Sequence, residues 1–149
     1  MTYKGLLRIL IMVPVAASLA PGASAPQVNV YKTRTCGCCG KWVEHLKANG
    51  FEVNVQEVPS TAEYRQKYGV PDNLQSCHTA TVNGYVVEGH VPAREIHRLL
   101  KSRPKAKGLA VPGMPAGSPG MEGSRSDAYS VILFDQDGRT SDFQKYPGN

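Results

Sequence analysis

Several patterns that announce a common chemistry are missing from this 149-residue chain. It has no Ser-His-Asp arrangement, no paired carboxylates and no phosphate-binding glycine loop, which removes the usual signatures of hydrolases and nucleotide enzymes. Cysteine is scarce, at four residues, and the second C-x₂₋₄-C pair of a structural zinc site is absent. The one apolar stretch is shorter than the ~20 residues a bilayer span needs. Basic residues outnumber acidic ones, 17 to 12. The run Arg94, Arg98, Lys101, Arg103, Lys105 and Lys107 nevertheless comes without a nucleic-acid recognition motif and reads as a solvated helix face and tail. No nucleic-acid partner is expected.

The apolar stretch reads as an export signal. Lys4 and Arg8 supply positive charge, Leu6 to Ala20 an apolar core interrupted by Arg8 and Pro14, and Ala23-Ser24-Ala25 a small-residue cleavage site. Pro26 is a poor first mature residue, so a cut after Ser18 is the alternative. The expected destination is the periplasm, with no stable membrane insertion once the signal is gone. Taking Lys4 and Arg8 from the net charge of +5 leaves +3, and removing residues 1–25 leaves 124 residues. That length suffices for a core without disulfide support.

The remainder punctuates itself clearly. Val28, Val30 and Tyr31 predict a strand. Trp42, Val43 and Leu46 fall at helical spacing before the C-cap signal Asn49-Gly50. Phe51, Val53 and Val55 alternate as a half-buried strand does. Ser60 to Glu63 has capping-box spacing and opens a helix that Gly69 and Pro71 end. Thr79 to Val87 surrounds Asn83-Gly84, a type I′ hairpin signal. Pro92 opens a helix carrying Ile96, Leu99 and Leu100, and Pro104 stops it. The order β-α-β-α-β-β-α predicts an α/β, thioredoxin-like fold over residues 26–107. Residues 108–123 are rich in Gly and Pro, so neither helix nor strand is expected there. Residues 124–149 read as a C-terminal β-hairpin packed on the domain, turning at Asp137-Gly138.

What is present in quantity is sulfur, locally. Cys36-Gly37-Cys38-Cys39 places three thiols in four positions at an expected helix start, where free N–H groups and the helix dipole favour thiolate. Arg34 and Lys41 are expected to add to that field. In the thioredoxin plan the segment before the hairpin, Ser76-Cys77-His78-Thr79, passes beside this loop. Of the four methionines, Met1 and Met12 belong to the leader, while Met114 and Met121 both follow Pro-Gly in a segment with no apolar periodicity. Their exposure there points to soft-metal ligation rather than core filling. His78 adjoins Cys77, and His90 stands at a strand end and is a further candidate. His45 and His97 are expected to face solvent, Trp42 to anchor the core, and Tyr64 and Tyr68 to pack rather than react. Three close thiolates crowd one tetrahedral ion and suit sulfurs shared between several ions, an arrangement that fits Cu(I) and leaves zinc open. Two other readings remain: a thiol–disulfide oxidoreductase using Cys36 and Cys39, and a non-catalytic binding module stapled by disulfides.

Several motifs in order resemble those of the CopG-type periplasmic copper-resistance proteins, whose members look thioredoxin-like. They are Tyr31-Lys32-Thr33, Cys36-Gly37-Cys38-Cys39-Gly40-Lys41-Trp42, Ser76-Cys77-His78-Thr79, Gly89-His90-Val91-Pro92, Pro112-Gly113-Met114-Pro115 and Gly117-Ser118-Pro119-Gly120-Met121-Glu122. The resemblance runs from about Val28 to the C-terminus. It implies copper, as Cu(I) in a cysteine-bridged site of several ions and with Cu(II) accessible, held by Cys36, Cys38, Cys39, Cys77, His78, Met114, Met121 and His90. It also implies a role in copper resistance, exchange with other periplasmic copper-handling proteins, and copper-dependent oxidoreductase activity as an open alternative.

Overall fold

The computed structural model describes residues 24–149, so the expected leader lies outside the described residues except for Ser24 and Ala25. The elements are β1 (Gln27–Lys32), α1 (Gly37–Ala48), β2 (Glu52–Glu57), α2 (Ala62–Tyr68), β3 (His78–Val82), β4 (Tyr85–Glu88), α3 (Ala93–Ser102), β5 (Gly108–Ala110), β6 (Tyr129–Phe134) and β7 (Thr140–Tyr146). The seven strands form one sheet in the order β2-β1-β3-β4-β5-β6-β7. β1 runs parallel to β2, and β4 to β5; the other neighbours are antiparallel. This α/β architecture keeps the expected β-α-β-α-β-β-α order and is compatible with a thioredoxin-like plan. Among the described residues no helix is long and apolar enough to cross a membrane.

Alternation along the strands divides the core between the two sheet faces. Val28, Val30, Ala80, Val82, Val87 and Leu109 pack with Trp42, Leu46, Ile96 and Leu99 of α1 and α3. Val86, Ala110 and Phe134 pack on the opposite face with Val70 and Leu74, beyond α2. Trp42 is fully buried, and its indole N–H donates to the Val91 carbonyl at 2.9 Å. It thereby ties α1 to the segment carrying His90. Asn83 and Gly84 both take positive φ, 46° and 85°, as a type I′ turn requires.

Three local expectations are corrected. Residues 108–110 form β5 despite the Gly/Pro character of the segment. Leu109, Ala110 and Val111 are fully buried, and Gly108 presses so closely on the Val86 backbone that a side chain has no room. The terminal hairpin β6–β7 accordingly extends the same sheet through β5. β2 is an edge strand, and Val55 is exposed rather than half-buried. The capping box is incomplete: Ser60 Oγ accepts the Ala62 N–H at 3.2 Å, but Thr61 is the N-cap of α2 and its hydroxyl takes Arg65 Nη1 at 2.7 Å.

β4 ends in a buried carboxylate that positions the site. Glu88 Oε1 accepts the Ser76 N–H at 2.8 Å and Oε2 accepts the Thr79 hydroxyl at 2.7 Å, so one side chain brackets Cys77-His78. Arg65 holds the same segment from α2, donating to the Ser76 carbonyl at 3.2 Å. Burial pushes the Glu88 carboxyl up from 4.5 to about 7, against the downward pull of those two hydrogen bonds.

Two predictions follow from this packing. Gly108→Ala drives a methyl into the β4 backbone and lowers urea-unfolding stability by about 1–3 kcal/mol, the range of overpacking. Gly123→Ala, where the added carbon meets nothing, shifts it by less than about 0.5 kcal/mol. Equal effects would remove the steric account of β5. For Glu88, the folded chain binds more protons than the unfolded chain between pH 4.5 and 7. Its contribution to stability therefore declines as pH rises through that window. The stability of the metal-free protein, measured relative to Glu88→Gln by urea unfolding, falls by up to about 3 kcal/mol from the acid to the neutral end; a flat difference contradicts the raised carboxyl.

Candidate metal centre

The loop leaving β1 is closed by a Cys36 N–H bond to the Thr33 carbonyl at 3.2 Å. Cys36 is the N-cap of α1 in extended conformation, and no acidic side chain occupies the first turn. Helical spacing then brings Cys39 under Cys36. The two are joined as a disulfide with Cα atoms 5.4 Å apart, while Cys38 and Cys77 are free. Cys38 Sγ lies 3.6 Å from Cys36 Sγ and 3.9 Å from the Met114 thioether. Cys39 is buried, its sulfur 3.9 Å from the Cys77 carbonyl oxygen.

Cys77 is the junction of the site. Its Sγ is 3.0 Å from His90 Nε2 and 3.4 Å from His78 Nδ1. His90 Nδ1 donates to the Pro119 carbonyl at 2.7 Å, which assigns its proton and leaves the Nε2 lone pair facing the sulfur. Both imidazoles are fully buried, edge-on at 5.2 Å, and His78 packs on Trp42 at 4.3 Å. His78 Nε2 has no hydrogen-bond partner. One donor atom from each of Cys36, Cys38, Cys39 and Cys77 lies within 4.8 Å of the others, and the same holds for Cys77, His78 and His90.

Burial keeps Cys77, His78 and His90 uncharged. It pushes the Cys77 thiol up to about 12, with the nearby Cys38 sulfur adding to the rise. Burial likewise lowers His78 to about 3, helped by His90, and lowers His90. The resting site is thus a thiol beside two neutral imidazoles: lone pairs without charge, in a medium that resists a bare thiolate. A bound cation reverses that balance by displacing the thiol proton.

Six of the eight expected ligands, Cys36, Cys38, Cys39, Cys77, His78 and His90, therefore gather in one place. Met114 joins them through its contact with Cys38, although it is 51% exposed. Met121 is set by backbone: its N–H donates to the Ser118 carbonyl at 2.8 Å and its carbonyl accepts the Gly117 N–H at 2.9 Å. The sulfur contact of Met114 has no counterpart at Met121. Gly120, at φ +89°, lies so close to α1 that an added carbon would stand 2.7 Å from the Cys38 carbonyl oxygen and 3.3 Å from His90 Nδ1. The Gly/Pro segment is fastened as well as close. Ser76 Oγ donates to the Gly113 carbonyl, and the Gly113 N–H to the Gln75 carbonyl at 3.0 Å.

The surrounding charges differ from expectation. Arg34 is highly exposed and pairs with Glu57 at 3.0 Å, which neutralises its charge locally. The buried cation is Lys32, which stands opposite His78 in the β1–β3 register and helps keep that imidazole neutral. His45 is half-buried rather than solvent-facing: its Nε2 accepts the Ala93 N–H at 3.1 Å and caps the start of α3. His97 is exposed as expected, stacked on Phe51 at 4.2 Å. Tyr64 and Tyr68 pack against Tyr31, at centroid distances of 4.1 and 5.7 Å. Glu88 was not among the expected site residues; its signal in the sequence is an acid closing the apolar run Tyr85-Val86-Val87, directly before Gly89-His90.

No curated protein matches the chain. Residues 74–121 match a family model described as a protein of unknown function, DUF411. Two solved structures are similar over most of their length. Copper resistance protein CopG in form 2 is 44% identical with a TM-score of 0.79, covering 83% of this chain and 99% of that one. Form 1 is 45% identical with a TM-score of 0.78, covering 82% and 98%. With four cysteine sulfurs converging beside two buried imidazoles, and with likeness of this extent to both structures, the chain belongs to the CopG copper-resistance protein family.

Proposed function

We propose that the protein is an exported copper-binding protein of copper resistance that holds several Cu(I) ions on shared thiolates. Cys36, Cys38, Cys39 and Cys77 bridge the ions, and His78, His90, Met114 and Met121 complete the shell. Residues 1–25 direct export to the periplasm, 26–107 form a thioredoxin-like unit, 108–123 bring the methionines over the site, and 124–149 brace it. The observation that carries the reading is the approach of four cysteine donors, from segments 38 residues apart, to within 4.8 Å of one another. The names of the similar structures support copper as the cargo. Thiolate and thioether are soft donors that favour Cu(I), while imidazole tolerates both copper states. Loading the full set requires two electrons and two protons to open the Cys36–Cys39 disulfide, after which the thiol protons leave as copper binds.

The closed Cys36–Cys39 disulfide at the start of α1 favours a second reading, a thiol–disulfide oxidoreductase. That reading accounts for the C-x-x-C pair and leaves Met114, His78 and His90 without a task.

Anaerobic titration of the reduced protein separates the two. More than one Cu(I) per chain is expected, held against a zinc excess, with Cys36→Ser lowering the stoichiometry. Equal preference for zinc and an unchanged Cys36→Ser variant would sink the copper reading. Copper at 1,000 times its dissociation constant is also expected to raise unfolding stability by about 4 kcal/mol, reversed by a Cu(I) chelator. Insulin-disulfide reduction by the copper-free protein, lost in Cys36→Ser and indifferent to added copper, would instead establish the oxidoreductase.

A further inference from the structure

Two donor sets meet at Cys77, and the disulfide divides them. With Cys36 and Cys39 tied together, the four-cysteine set keeps only Cys38 and Cys77 as thiols. The set of Cys77, His78 and His90 loses nothing, because none of its members belongs to α1. Its two histidines are fully buried, while Cys77 is half-buried like Cys38, and Met114 is exposed.

The geometry of this inner set is that of a prepared ligand shell. Metal bonds of about 2.0 Å to nitrogen and 2.3 Å to sulfur place the two donors roughly 3.5 Å apart in a tetrahedral shell, and farther apart in a trigonal or linear one. The Cys77 sulfur stands 3.4 Å from His78 Nδ1 and 3.0 Å from His90 Nε2, so an ion enters after an opening of a few tenths of an ångström to about one. The Pro119 carbonyl holds the far nitrogen of His90, the outer-shell contact that orients a ligating imidazole. Glu88 grips Ser76 and Thr79 on either side of Cys77-His78. The far nitrogen of fully buried His78 has no protein partner, so the strands and the Trp42 ring hold this imidazole in place, without the outer-shell contact that His90 has.

We infer that Cys77, His78 and His90 form a separate inner copper site, one ion on one thiolate and two imidazoles, that works while the Cys36–Cys39 disulfide is closed. The inference rests on the copper reading above. Binding exchanges the Cys77 S–H bond for an S–Cu bond and releases the proton to solvent, with no change in oxidation state. Two imidazoles and one thiolate in a trigonal arrangement are a donor set that accepts copper in either valence. The oxidised protein therefore retains one copper ion, and the sulfur-rich outer part fills only after reduction.

The test uses the full chain without reductant, with the closed disulfide verified by alkylation and mass measurement before and after copper addition. Cu(I) is supplied anaerobically as a complex with a chromophoric chelator. One copper per chain is expected, with X-ray absorption reporting two imidazole nitrogens and one sulfur. Cys77→Ser and His90→Gln each weaken binding by roughly 100-fold or more, beyond the loss expected for an outer-shell residue. Far-UV circular dichroism establishes that each variant is folded, and the absorption measurement on the unaltered protein needs no variant. Copper taken up only after reduction, or held by the oxidised protein in a sulfur-only shell, overturns the inner site and leaves the copper reading standing. Copper taken up by neither form overturns both.

Discussion

The antiparallel register of β1 on β3 is the constraint on which the site depends. Lys32, the last residue of β1, stands opposite His78, the first of β3. The cysteine loop leaves the sheet at one end of that pair, and Cys77 arrives at the other. A one-residue slip would turn His78 away from Trp42 to the opposite sheet face, and a two-residue slip would carry it about 7 Å along the strand. Either shift exceeds the span of the donor cluster. The register is secured by what lies further along the same strands: Val28 and Val30 opposite Val82 and Ala80, all buried under α1 and α3. Core packing about 7 to 13 Å along the strands from the Lys32–His78 pair thus decides whether the sulfurs meet, since strand residues are spaced about 3.3 Å apart.

Burial then sets the chemistry. A thiol and two imidazoles in a dry pocket are all held in their neutral forms, and the nearest buried cation, Lys32, opposes protonation of His78 further. Such a pocket excludes a bare thiolate and welcomes a cation that brings its own charge to the sulfur. At the first turn of α1 the balance is different, with free backbone N–H groups and no acidic side chain in the turn itself, while Glu122 of the covering loop acts on both Lys41 and His90. The two halves of the site therefore present different surroundings to an incoming ion, and the disulfide lies wholly in the half at the helix start.

Much of this arrangement is legible in the sequence where local rules act alone. Asn83-Gly84 specified its turn, Trp42, Val43 and Leu46 their helix face, and the two cysteine segments the place to look. Tertiary context overrode the rest. Gly108-Leu109-Ala110 reads as loop by composition, yet the absence of a side chain at Gly108 is what lets β5 lie against Val86. Val55 alternates correctly but sits on a sheet edge that nothing covers. Arg34 is two residues from Cys36 and still pairs across to Glu57, because the ion pair is set by β2 rather than by chain proximity. His45 meets the α3 N-terminus 48 residues away, which no short-range pattern encodes.

The segment matched by the family model, residues 74–121, has a physical coherence of its own. It contains Cys77, His78 and His90, the carboxylate of Glu88 that fixes the first two, the Pro119 carbonyl that orients the third, and both methionines of the cover. Cys77, His78, His90 and Pro119 are joined to one another by hydrogen bonds inside the segment, and Glu88 is joined to Ser76 and Thr79 on either side of Cys77-His78. The Cys36–Cys39 loop lies outside it and is brought to the pocket by the β1–β3 pairing, the Trp42 bond to Val91 and the close seat of Gly120 on the first turn of α1, where its sulfurs meet Cys77 and Met114. A cover that could not approach the Cys38 carbonyl would stand away from His90 as well, since Gly120 touches both. The small residue at position 120 therefore couples the two halves: it lets a single loop close over the helix start and the buried imidazole together.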